Sequence, residues 1–305
     1  MLSKFLMLEL FSYLRHILKE QRIIDMASSP HVGADSTDGI RVSGLTVGYT
    51  RRRAAPVVVS GPLEASASES CLTCLIGENG AGKSTLLRTL VGLQPPISGD
   101  MTCHGRSLCR MSAARRAREV AVVLTDKPFT GNMTAAEVVA TGRSPYTGFW
   151  GIGGQADRDA VMNALRLADI SHKATCPLTQ MSDGERQKVM IAKALAQDTP
   201  VVVLDEPTAF LDYPGKALTM RLLRRLAHEQ HKTVIVSSHD LELVLQMADK
   251  LWMLTRQGIV EGTPHELAQS GCLGRFLGKA GLRLDADDLH ISMPMTSVGQ
   301  DGDIC

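Results

Sequence analysis

The chain has 305 residues, of which 44% are apolar and 21% are charged, as is usual for a globular protein. Its 33 Lys and Arg residues nearly balance 32 Asp and Glu residues, so it lacks the positive charge typical of proteins that coat DNA or RNA, and we expect no nucleic-acid partner. The length corresponds to about two domains, or to one large α/β unit with a subdomain.

The first 25 residues are apolar overall but are interrupted by charged side chains, among them Lys4 and Glu9. This stretch is too short and too charged to cross a membrane as a helix. It is either an amphipathic segment or untranslated, with synthesis beginning at Met26, and the polar residues 27–39 favour the later start. We therefore expect residues 1–39 to be an extension or linker, and any membrane role to be peripheral.

The folded part is predicted to begin near residue 40. Apolar residues at 40, 42, 45, 47 and 49 indicate a strand, and a second stretch rich in β-branched residues surrounds 57–59. The short apolar run 71–76 predicts a buried strand. A helical pattern follows at 83–92 and ends before Pro95.

Three later apolar runs, at 119–124, 200–204 and 232–237, are typical of strands buried on both faces, as in parallel sheets. Long helical patterns separate them, which predicts an α/β fold with a parallel sheet. Most of the chain between residues 124 and 182 has helical spacing. We interpret this stretch as an inserted helical subdomain.

Residues 77–84 read GENGAGKS and match the phosphate-loop pattern G-x-x-x-x-G-K-[ST] between a strand and a helix. Glycines allow backbone N–H groups to surround phosphate oxygens. Lys83 would neutralise the β- and γ-phosphates, and the Ser84 hydroxyl would bind Mg²⁺. The helix dipole adds a favourable potential for the anion.

The apolar run beginning at Val201 ends in two adjacent carboxylates, Asp205 and Glu206. Strand alternation predicts that they point in different directions at the end of the strand. In-line attack on a γ-phosphate needs a polarised water and a neutralised leaving group. We assign Asp205 to the metal and Glu206 to the role of general base.

Two further features have both a structural and a functional interpretation. Ser182 and Glu185 form the pattern S-x-x-E, which is also a plain capping box at the start of a helix. His239 follows the apolar run 233–236 and is either a core histidine or a phosphate contact beside Glu206.

Taken together, GENGAGKS at 77–84, MSDGERQ at 181–187, VVVLDE at 201–206 and Ser238-His239 follow the order of the motifs of ABC-transporter ATP-binding subunits. The chain resembles that family over about residues 40–270. The resemblance implies a P-loop NTPase (RecA-like) core with an antiparallel β subdomain and an inserted helical signature subdomain. It places an ABC ATPase domain at 40–275, with the helical subdomain at about 126–198, and a tail at 276–305.

The resemblance also implies site residues, with ATP and Mg²⁺ as cofactors. Two copies would bind head-to-tail, each ATP lying between the phosphate loop of one copy and the signature of the other. Glu206 and His239 would act in hydrolysis, Ser84 and Asp205 would bind Mg²⁺, and Asp212 would bridge the copies. Tyr49 would stack on adenine. The other expected ATP-binding residues of the same copy are Gly77, Asn79, Gly80, Gly82, Lys83, Ser84 and Thr85. The facing copy would contribute Ser182, Gly184 and Glu185.

Two departures from the family pattern stand out. Asp183 and Glu185 occupy signature positions where Gly and Gln are common, and acids repel phosphate. We expect Glu185 to turn back to its own helix, Asp183 to face solvent and Arg186 to offset part of the charge. Thr125 stands where the family places a Gln, which predicts weaker coupling through that loop.

The sequences of these motifs resemble those of the ATPases of iron-siderophore, haem and cobalamin importers. The partners implied are integral membrane permease subunits and, indirectly, a substrate-binding protein, at the cytoplasmic face of a bacterial inner membrane. Tyr146, Phe149 and Trp150 would border the groove for a permease helix. The alternative is a soluble ABC ATPase that acts in cluster assembly or on nucleic acid.

Overall fold

The computed structural model describes residues 38–51, 54–125, 132–147 and 153–293. The predicted N-terminal extension up to residue 37, as well as Phe149 and Trp150, lies outside the described residues. Within them the chain forms an α/β fold with a four-stranded antiparallel sheet, a six-stranded mostly parallel sheet and a two-stranded hairpin, which confirms the predicted fold class.

The antiparallel sheet has the strand order β2-β1-β4-β5. Its strands are β1 (Asp38–Arg51), β2 (Ala54–Ser68), β4 (Ser98–Cys103) and β5 (Arg106–Ser107). The first two strands pair antiparallel with several irregularities in register, and Tyr49 lies opposite Val57. This places Tyr49 near the turn end of the β1–β2 hairpin.

The second sheet has the order β10-β9-β3-β8-β7-β6, and all its strands are parallel except β10, which runs antiparallel to β9 at the edge. Its strands are β3 (Leu72–Gly77), β6 (Val120–Val123), β7 (Val201–Leu204), β8 (Thr233–Ser237), β9 (Lys250–Thr255) and β10 (Gly258–Gly262). Strands β3, β6, β7 and β8 correspond to the four predicted apolar runs, which are hydrophobic throughout because helices or the other sheet cover both faces.

The described helices lie between and after these strands along the chain. They are α1 (Lys83–Leu90), α2 (Ala113–Glu119), α3 (Ala135–Ala140), α4 (Gln155–Leu167), α5 (Asp183–Ala196), α6 (Tyr213–Glu229), α7 (Leu241–Met247), α8 (Pro264–Gln269) and α9 (Cys272–Gly278). Helices α3, α4 and α5 pack against one another. They belong to the stretch in which the sequence predicts a helical subdomain.

Two hydrophobic clusters cover the two faces of the parallel sheet. Leu75 on β3 packs with Leu86 of α1 and with the antiparallel sheet. Leu72 and Ile76 on the same strand face the other cluster, which includes helices α5 and α6. Each fully buried Leu or Ile contributes about 1.5–3 kcal/mol relative to an exposed one.

The C-terminal part of the described chain is folded against this core. A short hairpin of β11 (Arg283–Leu284) and β12 (Ile291–Ser292) follows α9. Leu289 between these strands is buried, and Leu284 and Ile291 pack on the same cluster. Residue 276 lies inside α9, so the start of the predicted tail falls within a helix, and residues 294–305 of that tail lie outside the described structure.

Candidate functional site

The loop between β3 and α1 has a backbone that requires glycine. Gly80 and Gly82 have φ angles of +77° and +101°, in the left-handed region that other residues rarely adopt. A Cβ on Gly82 would lie 2.7 Å from Cγ1 of Val59, whereas one on Gly80 would meet nothing within 4 Å. Position 80 therefore needs glycine for its conformation, and position 82 for conformation and space.

Lys83 folds back over this loop. Its Nζ donates hydrogen bonds to the carbonyl oxygens of Gly77, at 2.9 Å, and Glu78, at 3.2 Å. Burial lowers the pKa of Lys83, while the carboxylates of Glu206 and Asp205 act in the opposite direction. A buried ammonium whose hydrogen-bond acceptors are neutral carbonyls favours the binding of an anion.

Three oxygen-bearing side chains meet beside this lysine. Strands β7 and β8 pair with Leu204 opposite Val236, so the next residues, Asp205 and Ser237, also lie side by side. Ser237 Oγ donates to Asp205 Oδ1 at 2.7 Å, and Ser84 Oγ donates to the same oxygen at 3.3 Å. The fold thus brings α1, β7 and β8 together at one buried carboxylate.

Glu206 turns away from Asp205 toward His239. Its φ is +49°, and such strain in a residue other than glycine costs on the order of 1 kcal/mol or more. The Glu206 N–H donates to Ser237 Oγ at 2.8 Å, and its Oε1 lies 2.7 Å from Nε2 of His239. The two carboxylates have different partners because the chain turns at Glu206, and not through strand alternation alone.

The Glu206 and His239 pair opens onto a cleft of about 580 Å³. The His239 side chain is 47% exposed and that of Glu206 is 28% exposed. His239 is therefore not a core histidine. The cleft is walled on the far side by the C-terminal hairpin, through Ile291 and Met293.

The segment 181–187 begins helix α5 with a complete capping box. The Glu185 N–H donates to Ser182 Oγ at 3.3 Å, and the Ser182 N–H donates to Glu185 Oε2 at 2.9 Å. The other Glu185 oxygen pairs with Lys173, while Asp183 pairs with Arg186 at 3.3 Å. Both acids of this segment are thus held by cations of their own subdomain, as the sequence led us to expect for Arg186.

Glu185 is strongly stabilised as a carboxylate. Its pKa falls to about 2, first because of the hydrogen bond from Lys173 and second because of the backbone N–H of Ser182. It stays ionised at neutral pH, so its charge is offset by pairing and not by protonation.

Two other predicted site residues have clear local roles. The Tyr49 ring is 52% exposed, and its hydroxyl lies 3.3 Å from Thr85 Oγ1 on α1. Asp212 caps helix α6 by accepting a 3.0 Å hydrogen bond from the Gly215 N–H. The fold therefore places an exposed aromatic ring next to the phosphate loop. Asp212 stabilises the first turn of α6.

Comparison with known proteins assigns the chain that carries these residues to a family. A sequence profile described as "ABC transporter" matches residues 62–209. An uncharacterized ABC transporter ATP-binding protein of Methanocaldococcus jannaschii is 40% identical over 222 residues, 72% of this chain and 74% of that protein. The ferric enterobactin transport ATP-binding protein FepC of Escherichia coli is 31% identical over 252 residues, 82% of this chain and 91% of FepC.

The chain belongs to the ABC transporter ATP-binding proteins. As a member of this family it binds ATP, and its ATP hydrolysis is coupled to transport. The Achromobactin transport ATP-binding protein CbrD of Dickeya dadantii is also similar, with 36% identity over 73% of this chain and 81% of CbrD.

Solved structures agree with this ABC ATPase fold. An inward-facing structure of an ABC transporter of the metal-chelate type matches with a TM-score of 0.68 and 26% identity, over 79% of this chain and 89% of the other. An ATP-binding cassette in its ADP conformation matches with a TM-score of 0.70 over 80% and 98%, and at 18% identity this supports the fold alone. Among the described residues, no helix is long and apolar enough to cross a bilayer.

The ABC ATPase site fits a Mg²⁺ ion that is shared with a nucleotide. In the described part of the chain, no group of three or more His, Cys, Asp or Glu side chains could hold a metal ion on its own. Mg²⁺ is commonly bound by one or two protein oxygens together with substrate phosphates and water. Ser84 and Asp205 supply two such oxygens, with their side chains 3.3 Å apart.

Sequence reasoning missed one residue of this site, Ser237. It accepts from the Glu206 N–H and donates to Asp205, and it is completely buried. The only signal in the sequence was a polar residue at the end of the apolar run 232–237. Its role depends on the pairing of β8 with β7, which the local pattern does not specify.

Proposed function

We propose that two copies of this chain bind head-to-tail and enclose ATP between the 77–84 loop of one copy and the 181–187 segment of the other. The support for this arrangement is that each half is built for an anion. Lys83 and the start of α1 face one side, while Ser182, exposed at the N-terminus of α5, offers a hydroxyl and a helix dipole on the other. Gly184 and Glu185 would accompany Ser182, and Asp212 would bridge the copies.

Hydrolysis in this proposal depends on the contact between Glu206 and His239, which is the observation that carries the assignment. The Glu206 carboxylate takes a proton from the attacking water at its oxygen, and His239 holds that carboxylate in place at 2.7 Å and reaches the γ-phosphate. Lys83 neutralises charge on the β- and γ-phosphates. Tyr49 stacks on adenine, and Asn79, Gly77, Gly80, Gly82 and Thr85 shape the loop around the phosphates.

Ser84 and Asp205 would hold the Mg²⁺ ion. When bound, the ion would neutralise negative charge on the nucleotide phosphates. Ser237 keeps Asp205 Oδ1 directed toward Ser84, because its hydroxyl donates to the same oxygen. The buried carboxylate is thereby held ready for a cation.

The imported substrate is proposed to be an iron-siderophore or haem, with cobalamin as the second choice. Several relatives are named for transport of this class of substrate: FepC for ferric enterobactin, CbrD for achromobactin and FpuD of Bacillus anthracis for petrobactin. The cobalamin import protein BtuD of Halobacterium salinarum is 37% identical over 69% of this chain and 51% of BtuD.

The proposed partners are integral membrane permease subunits and, through them, a substrate-binding protein. The chain would lie at the cytoplasmic face of a bacterial inner membrane as a peripheral subunit. Tyr146 marks the proposed permease groove. Tyr146 is 37% exposed, and the guanidinium groups of Arg143 and Arg118 lie 4.0 Å and 5.1 Å from the centre of its ring.

The first experiment tests the dimer and the chemistry. Glu206→Gln protein is incubated with ATP and Mg²⁺, and its mass is measured by light scattering with and without nucleotide. The proposal predicts an ATP-dependent dimer that retains ATP and hydrolyses it on the order of 10²–10⁴-fold more slowly than the wild type. A variant that stays monomeric, or that hydrolyses ATP at the wild-type rate, would overturn the assignment.

The second experiment tests the imported substrate. The chain is reconstituted in liposomes with its permease subunits and the cognate binding protein, and uptake of a ferric siderophore, haemin and cobalamin is compared. ATP-dependent uptake of one of these three supports the proposal. Hydrolysis that responds to DNA but to none of the three, with no uptake, would favour the soluble ATPase instead.

A further inference from the structure

An ion pair borders the hydrolysis cleft outside the residues assigned so far. Lys216 Nζ on helix α6 lies 3.1 Å from Asp240 Oδ2, in the turn between β8 and α7. The side chains are 30% and 18% exposed, so the pair is half-buried. Both residues line the same 580 Å³ cleft as Glu206 and His239.

Asp240, the residue after His239, is held by polar contacts to three parts of the fold. Its N–H donates to Ser238 Oγ at 3.1 Å, and its Oδ1 caps α7 by accepting from the Leu243 N–H at 3.4 Å. Its second carboxylate oxygen is the one that Lys216 binds. Both carboxylate oxygens of Asp240 are therefore bound, which fixes this residue relative to α6 and α7 directly after His239 in the chain.

Lys216 is connected in turn to the segment that carries Asp212. The Lys216 backbone N–H donates to the Asp212 carbonyl at 2.9 Å, within the first turn of α6. A continuous set of contacts thus runs from Asp212 through Lys216 and Asp240 to His239 and Glu206. Its middle step is the ion pair, and its last step is the 2.7 Å contact between His239 and Glu206.

We infer that Lys216 is a positioning residue for hydrolysis: by holding Asp240, it keeps His239 against Glu206. This inference rests on the proposed roles of Glu206 and His239. His239 lies on a loop and its side chain is nearly half exposed, so packing alone restrains it weakly. A half-exposed ion pair adds little to the free energy of unfolding, but it can fix one loop relative to one helix.

The test separates positioning from simple stability. Lys216→Met keeps the length of the side chain and removes its charge, and Asp240→Asn keeps a capping oxygen for α7. Each variant should lower kcat roughly tenfold while leaving KM for ATP near the wild-type value, since neither residue lies in the phosphate loop. Lys216→Arg should restore most of kcat, because it restores the cation.

A matched control comes from strand β9, which lies on the other side of β3 from β8. Lys250 at the start of β9 forms an ion pair with Glu261 at the same distance, 3.1 Å, and its side chain is 21% exposed. Lys250→Met should lower the thermal midpoint at least as much as Lys216→Met, yet leave kcat unchanged. A loss of kcat in both variants would mean that general destabilisation causes the effect.

The double variant gives the decisive result. If Lys216 acts through Asp240, the Lys216→Met/Asp240→Asn protein should lose no more activity than either single variant, and additive losses would overturn the inference. His239→Ala and Glu206→Gln are measured in parallel. If these two retain kcat, the proposed catalytic roles fail; if they lose it while Lys216→Met does not, only the positioning role fails.

Discussion

Thr125 Oγ1 donates a 2.9 Å hydrogen bond to the carbonyl oxygen of Asp205. The contact exists because the parallel strands β6 and β7 end level with each other, with Val123 opposite Leu204, and because the Asp205 N–H donates to the Val123 carbonyl at 2.8 Å. Thr125 therefore uses its hydroxyl proton to anchor the backbone of the proposed metal-binding residue. A longer Gln at this position would be free to reach further into the site.

Substitutions of Thr125 distinguish two effects: the hydrogen bond to the Asp205 carbonyl, and the absence of a Gln at this position. Thr125→Val removes the hydrogen bond and should cost about 1 kcal/mol of unfolding free energy, together with some ATPase activity, whereas Thr125→Ser should behave as the wild type. Thr125→Gln should raise the ratio of transport-stimulated to basal hydrolysis. An unchanged ratio would remove the reason to link Thr125 with weak coupling. Hydrolysis by the reconstituted transporter with and without its cargo measures this ratio.

Ser237 should matter for both stability and metal use. Ser237→Ala leaves the buried Asp205 oxygen and the Glu206 N–H each without one partner, which should cost about 1–3 kcal/mol and raise the Mg²⁺ concentration needed for half-maximal hydrolysis. Thr233→Val on the same strand is the control. Among the described residues the Thr233 hydroxyl is buried without a hydrogen-bond partner, so its removal should be neutral or stabilising. Equal effects of the two changes would contradict the role of Ser237.

The two left-handed glycines of the phosphate loop should respond differently to alanine. Gly80→Ala meets no neighbouring atom and should cost only the conformational penalty, roughly 1–2 kcal/mol. Gly82→Ala adds a contact of 2.7 Å with Val59 to the same penalty and should displace the start of α1. Titration with a fluorescent ATP analogue should therefore show a larger loss of affinity for Gly82→Ala. Comparable losses would indicate that space around residue 82 is not limiting.

Lowering the pH should remove the contribution that ionised Glu185 makes to the free energy of unfolding. Its pKa is depressed from 4.5 to about 2 in the folded chain, so ionised Glu185 stabilises the fold above about pH 4.5, and this stabilisation is lost as the pH falls toward 2. Glu185→Gln retains a capping oxygen but cannot attract Lys173. Urea unfolding near neutral pH should find the wild type more stable than Glu185→Gln, with the difference shrinking through this window. A difference that stays constant with pH would show that the Glu185 charge makes no contribution.

Elements that depend only on residues close together along the chain were predicted well from the sequence. The phosphate loop needs only its own glycines and the adjacent strand and helix, and the capping box at Ser182 involves residues three apart. The four buried strands were recognisable because an unbroken run such as Val201 to Leu204 has one stable environment, between covered faces. The C-terminal hairpin escaped notice because each of its strands has two residues, too few for a periodic pattern.

The amino-acid sequence alone determined the family, the anion-binding loop and the pair of acids at 205 and 206, since these depend on residues next to one another along the chain. Only the tertiary structure decided which groups meet. Ser84 reaches Asp205 across 121 residues, and His239 reaches Glu206 across 33, because the carboxyl ends of β7 and β8 share one edge beside the start of α1. Strand register and the left-handed backbone conformation of Glu206 determine those contacts, and neither can be recognised from the hydrophobic periodicity of the sequence.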